Sequence, residues 1–92
     1  MLKPQFSAQF KKDYKLAVKR GCDPKKLEQV ITMLCREEPL PTVYRDHALA
    51  NSRRYSDMRE CHIEPDWLLV YKITKSVLIL SLYRTGTHSD LF

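Results

Sequence analysis

No run of apolar residues in this 92-residue chain approaches the roughly 18 that a membrane span requires. The opening Met1-Leu2-Lys3-Pro4 has no signal-peptide pattern. Cysteine is scarce and odd in number: Cys22, Cys35 and Cys61, with no C-x-x-C pair. Three such thiols make neither a disulfide framework nor a zinc site. They read as buried thiols in a reducing compartment, which for this chain means the cytoplasm. There is no internal repeat, low-complexity tract or linker. Residues 1–92 are therefore expected to form one small domain with one core and no membrane partner.

The sequence does carry enough apolar side chains for that core: 43% of residues are hydrophobic, among them one Trp, five Tyr and three Phe. The formal charge is +5 and the pI near 9.2, and the charge is unevenly spread. Residues 1–36 hold nine Lys and Arg against three Asp and Glu, whereas residues 37–92 hold seven against eight. All three histidines lie in the second part. A basic N-terminal surface suits a polyanion such as nucleic acid, and equally serves only to keep a surface solvated. Separated from it is a region with the residues for proton chemistry.

Local patterns give the elements in order. Leu2 to Phe6 suits a short edge strand, because Pro4 lacks a ladder donor. Ser7 is placed to cap a helix with Phe10, Tyr14, Ala17 and Val18 on one face, and Lys11, Lys12, Lys15 and Lys19 largely off it. Gly21 ends that helix. Asp23-Pro24 starts a second, with Leu27, Val30, Ile31 and Leu34 at helical spacing. Glu38 to Arg54 reads as loop, anchored by Tyr44, His47 and Leu49. Met58 to Ile63 and Trp67 to Ile73 read as a hairpin about Glu64-Pro65-Asp66. A turn at Thr74-Lys75-Ser76 leads to a third strand, Val77 to Tyr83, and residues 84–92 form a tail. These elements predict an α+β fold, with two N-terminal helices packed on one face of a small, mostly antiparallel sheet. The other face stays open for strand ends, loop and tail to converge on.

The residues suited to chemistry are His47, His62, Asp66, Arg84 and His88. His62 at a strand end and Asp66 in the turn form a candidate proton-transfer pair. Arg84 is a permanent cation suited to a phosphate, and Tyr44, Trp67, Tyr71 and Phe92 have faces on which bases can stack. The set fits metal-free RNA cleavage, in which a base takes the ribose 2′-OH proton, an acid protonates the departing 5′-oxygen, and a cation stabilises the phosphate. Plainer uses exist for each: a surface or capping His, a turn-stabilising Asp66, a core Trp67, a surface Arg84, a tail-docking Phe92. No single spacing separates the two uses.

Three blocks in order carry a resemblance. Leu40-Pro41-Thr42-Val43-Tyr44-Arg45-Asp46-His47-Ala48-Leu49, the stretch Arg59 to Tyr71, and Arg84-Thr85-Gly86-Thr87-His88-Ser89-Asp90-Leu91-Phe92 resemble the YafQ branch of the RelE-like type II toxins, and the likeness runs through the helices. It implies a ribosome-dependent endoribonuclease that cuts translated mRNA without a metal or other cofactor. A cognate antitoxin would neutralise it, and the free toxin would be monomeric. It further implies catalytic or substrate-contacting roles for His47, His62, Asp66, Trp67, Arg84, His88 and Phe92. Acid–base work would fall to His62, Asp66 and His88, phosphate stabilisation to Arg84, and substrate orientation to His47. Two rival readings remain. One is a metal-dependent hydrolase with His47, His62, Asp66 and His88 as ligands, although close ligand pairs are lacking. The other is a non-catalytic RNA- or protein-binding module.

With the resemblance, the charge split leads to the expectation that Lys11, Lys12 and Lys15 on the basic helices hold ribosomal RNA backbone. Reversing all three to Glu is expected to weaken ribosome binding while the fold persists, as read by co-sedimentation across a salt series; unchanged binding with an unchanged salt slope refutes the assignment.

Overall fold

Trp67 to Tyr71 is buried at every position, and the structure is built around it. The structure, a computed structural model, describes residues 1–50 and 52–92. Its elements are β1 (Lys3–Phe6), α1 (Ala8–Lys19), α2 (Pro24–Cys35), β2 (His47–Ala48), β3 (Arg59–Glu64), β4 (Trp67–Thr74), β5 (Ile79–Gly86) and α3 (His88–Leu91), with single 3-10 turns at Thr42–Tyr44 and Lys75–Val77. The sheet order is β1-β5-β4-β3-β2. Only β1 runs parallel to its neighbour; the other pairings are antiparallel. This is the expected α+β architecture. Among the described residues no helix is long and apolar enough to cross a membrane.

The helix signals act as their chemistry dictates. The Ser7 hydroxyl accepts from the Phe10 N–H and donates to the Tyr83 carbonyl, so one residue caps α1 and ties it to β5. Asp23 caps α2 through the Lys25 N–H, with Pro24 in the first turn. Gly21 follows the Arg20 cap of α1 at φ +93°, a conformation that favours glycine.

Alternation along β4 divides its side chains between two layers. Trp67, Leu69 and Tyr71 join Leu27, Val30, Leu34, Phe10, Ala17, Leu80 and Leu82 in the main core beneath α1 and α2. Leu68 and Val70 face the other way, into a smaller cluster with Tyr55 and Leu91, flanked by Leu49 and Met58.

Several expectations need correction. The second sheet face is not open; this cluster covers part of it, because β4 is apolar on both sides. Val18 is exposed and Asp13 occupies the buried face of α1 instead. The Glu38–Arg54 segment contains β2, paired with Glu60 and Arg59. The last strand starts at Ile79 and continues through Gly86, so Arg84 belongs to the sheet. The rest of the tail forms α3, nucleated by a capping box between Thr87 and Asp90. A register irregularity opposite Val70 and Tyr71 leaves Tyr83 unmatched in β5, where Ser7 grips its carbonyl. Such a bulge changes which way the strand beyond it faces.

Leu69 is wholly buried in the central strand. Leu69→Ala is expected to lower unfolding free energy by about 2–5 kcal/mol, measured by denaturant titration, since it leaves a cavity in the main core.

Candidate active site

The hairpin β3–β4 turns on two residues, Pro65 and Asp66, and its irregularity between His62 and Glu64 lies beside the turn. His62 and Glu60 are two apart in β3 and so share the sheet face away from α1 and α2. His47, opposite Glu60 in β2, joins them from one side, and His88, first in α3, from the other. The rings form a row: His47 to His62, 6.3 Å between centroids; His62 to His88, 5.7 Å; His88 to Phe92, 6.4 Å.

Each ring is held by specific acceptors. Asp66 Oδ1 accepts both the backbone N–H of His88 at 3.0 Å and its Nδ1 at 2.9 Å. A carboxylate only accepts, so Nδ1 carries a proton, and Nε2 is the ring nitrogen turned away from Asp66. These two donations, the backbone one foremost, hold the Asp66 carboxyl below its usual pKa. His62 Nδ1 lies 3.2 Å from the Pro65 carbonyl oxygen and Nε2 3.2 Å from Glu60 Oε1. Both neighbours are acceptors, so only the doubly protonated ring can donate to both. His47 Nδ1 contacts the Arg45 carbonyl at 2.7 Å, and its Nε2 is 4.0 Å from Glu60 Oε2.

Glu60 is the residue that sequence reasoning missed. It is 4% exposed and serves both His62 and His47. Its signal was a carboxylate two residues before a histidine in a strand whose intervening residue, Cys61, is buried. Glu60, His62 and His88 place one ligand atom each within 4.8 Å of one another. This trio is the candidate metal cluster found among the described residues. It shares His62 and His88 with the expected ligand set, but has Glu60 where His47 and Asp66 were considered.

The remaining expected residues do not all join the row. Arg84 is engaged by Asp13 of α1, Nε at 2.7 Å and Nη2 at 3.2 Å, and that contact raises its already high pKa. Trp67 is buried, its Nε1 donating to Thr85 Oγ1 at 2.9 Å, so it is a wall and not a stacking platform. Tyr71 is also buried, its hydroxyl bound to Asp46. Phe92, 55% exposed, packs edge-on against Tyr55 at 5.3 Å. Half-buried Tyr44 lines a shallow cleft with Lys26, His62 and Glu64. Lys11, Lys12 and Lys15 are exposed on α1, in the layer opposite the histidines. Burial lifts the Cys61 thiol to about 12, which leaves it inert.

A model of bacterial toxins of type II toxin-antitoxin systems, YafQ, matches residues 2–92. The chain belongs to the YafQ toxin family. It is 47% identical over 89 residues to the mRNA interferase toxin YafQ of Escherichia coli strain B, spanning 96% of this chain and 92% of that one. By family it is thus a toxin of the mRNA interferase class, an endoribonuclease. Its fold is similar to a metal-bound toxin from Helicobacter pylori, with TM-score 0.92, 47% identity and full coverage of both chains. It is also similar to the toxin in the E. coli DinJ-YafQ complex, with TM-score 0.88, 45% identity, and 100% of this chain and 99% of that one covered.

In this YafQ toxin the position of His88 depends on α3, whose Leu91 carbonyl accepts from both the Tyr55 hydroxyl and the Arg54 guanidinium. Arg20 bridges to Asp90 at 2.7 Å. That contact first, and the Thr87 N–H second, draw the Asp90 carboxyl from 3.8 to about 2. A carboxyl lowered on folding stabilises above its unfolded pKa and loses that effect as pH falls through the folded value. The α3 latch is therefore expected to hold at neutral pH and release between about pH 4 and 2. Arg20→Ala should move that release upward, as followed by the His88 and Phe92 ring signals in an NMR pH titration.

Proposed function

We propose that this toxin cleaves translated mRNA on the ribosome by metal-independent acid–base catalysis in the row His47, His62 and His88. The observation that carries the reading is the unlike pair His62 and His88, rings 5.7 Å apart. His88 has one nitrogen committed to Asp66 and the other turned away from it. His62 lies against two acceptors, Glu60 and the Pro65 carbonyl, which orient its N–H groups. Nε2 of His88 takes the proton from the ribose 2′-OH, and that oxygen attacks the adjacent phosphorus. As the bond to the 5′-oxygen breaks, His62 supplies its proton. Asp66 stays ionised and orients His88, in the manner of the carboxylate in other catalytic triads. Arg84 stabilises charge on the phosphate, and His47 orients the substrate. Phe92 and Tyr44 offer faces to bases, Trp67 walls the site, and Lys11, Lys12 and Lys15 bind ribosomal RNA backbone from the opposite side of the molecule.

A cognate antitoxin is the expected protein partner, supported by the E. coli DinJ-YafQ complex. Away from it the toxin is monomeric.

One observation favours a second use of the same atoms. Glu60, His62 and His88 offer a carboxylate and two imidazoles at metal-ligand separation, and Asp66 fixes the His88 tautomer from behind, as outer partners of metal-binding histidines do. These donors fit a divalent transition metal, and a similar H. pylori toxin is metal-bound. An ion there would take up the lone pairs that proton transfer requires, so it would inhibit.

The test is cleavage of a message on programmed ribosomes. His88→Ala is expected to lose about 10²–10⁴-fold in rate. Chelator should leave the wild type active, and excess Zn²⁺ should silence it. Loss of activity on chelation would favour the hydrolytic-metal reading. Undiminished arrest of growth by His88→Ala would favour a non-catalytic binding module.

A further inference from the structure

Asp13 has no place in the chemistry so far, yet its environment is unusual. It lies on the apolar face of α1, three residues after Phe10 and four before Ala17, and is 8% exposed. A carboxylate there must be matched by donors, and it is. Oδ2 accepts from Arg84 Nε at 2.7 Å and from the Thr85 backbone N–H at 3.2 Å; Oδ1 accepts from Arg84 Nη2 at 3.2 Å and from Gln9 Nε2 at 3.0 Å. The same strand end is clamped again through Thr85, whose hydroxyl donates to the Leu68 carbonyl and accepts from Trp67 Nε1. Three residues on from Thr85, the chain reaches His88.

We propose that Asp13 is a positioning residue for RNA cleavage: it grips the Arg84 guanidinium along its Nε edge and so aims the remaining N–H groups at the scissile phosphate. The proposal rests on Arg84 being the phosphate-stabilising cation. A guanidinium has five N–H donors in a rigid plane. Asp13 takes two along one edge, which fixes the plane, and Tyr55 also stands beside the group, so the other N–H groups point away from Asp13. Arg84 is paired with Val70, and Val70 with Glu60, so Arg84 stands two strands from the carboxylate that serves His62 and His47. A cleft of about 240 Å³ runs from Asp13 and Arg84 past Trp67 to Asp66 and Thr87, reaching the residue that orients His88. One buried carboxylate thereby sets both the cation and the strand end from which the His88 helix departs.

The experiment is a double-mutant cycle in single-turnover cleavage on programmed ribosomes, with Asp13→Asn, Arg84→Ala and the pair, each checked for a wild-type thermal transition. Asn keeps the shape and one acceptor oxygen but loses the charge. If Asp13 acts through Arg84, Asp13→Asn lowers kcat about 10- to 100-fold with KM within about twofold, and has no further effect in the Arg84→Ala background. A wild-type rate for Asp13→Asn, or an equal loss with Arg84 already removed, overturns the proposal and leaves Asp13 a structural residue. Full activity of Arg84→Ala overturns the assignment of Arg84 and this inference with it, whereas an impaired Arg84→Ala beside an intact Asp13→Asn overturns the inference alone. Should Asp13→Asn not fold, Arg84→Lys decides. An ammonium can still pair with Asp13 but cannot present a fixed fork, so kcat falls as in Arg84→Ala, and a wild-type rate refutes the proposal.

Discussion

The central strand β4 is apolar on both faces, and both must be covered. Trp67, Leu69 and Tyr71 require one layer, and α1 and α2 provide it. Leu68 and Val70, each wholly buried, require another, and among the described residues no third long helix provides it. The chain meets that need with what remains: Tyr55 and Met58 before β3, Leu49 after β2, and Leu91 of α3. Covering this second face draws in the loop that carries His47 and the tail that carries His88. The histidine row is thus a by-product of burying β4. Loosening Leu91 or Tyr55 would disturb the row before it disturbed the main core.

Charge in this molecule is organised by carboxylates. Asp66 holds His88, Glu60 serves His62 and His47, Asp13 holds Arg84, and Asp90 holds Arg20. Each nitrogen group of the candidate site faces an acid, with His62 and His47 sharing Glu60, so each is oriented by the fold itself. Preorganised donors of this kind need no rearrangement as charge develops on a phosphate, which is where much of an enzyme's rate enhancement originates. Two of the four acids, Asp13 and Asp90, lie outside the histidine row and act on the elements that present it. Asp13 reaches Arg84 from α1, and Asp90 joins α3 to Arg20 at the end of that same helix.

The family comparisons agree with this arrangement at the level of fold and class. The chain matches the YafQ family nearly end to end and superposes on a metal-bound H. pylori toxin at a TM-score of 0.92. The geometry adds what family membership does not: a His88 ring held through Nδ1 by Asp66, a His62 ring between two acceptors, and a buried Glu60 between two histidines. Such a site has groups of the kind proton transfer uses, and Glu60, His62 and His88 also lie at metal-ligand separation.

Several features were legible in the sequence because they depend on near neighbours. Ser7 and Asp23 announce helix starts, and Gly21 permits a helix end. The spacing of Leu27, Val30 and Leu34 marks a buried face, and Pro65-Asp66 a tight turn. His47, His62, Asp66 and His88 could be named as candidates because few side chains exchange protons near neutrality. What the sequence could not supply was pairing across distance. That β1 lies parallel beside β5, that Glu60 stands between His62 and His47, and that Asp13 reaches Arg84, 71 positions away, follow from strand order and register. The energy of those contacts depends on which groups are brought together away from water. Only the tertiary structure decides that, because an isolated segment leaves each carboxylate solvated and each histidine free to turn.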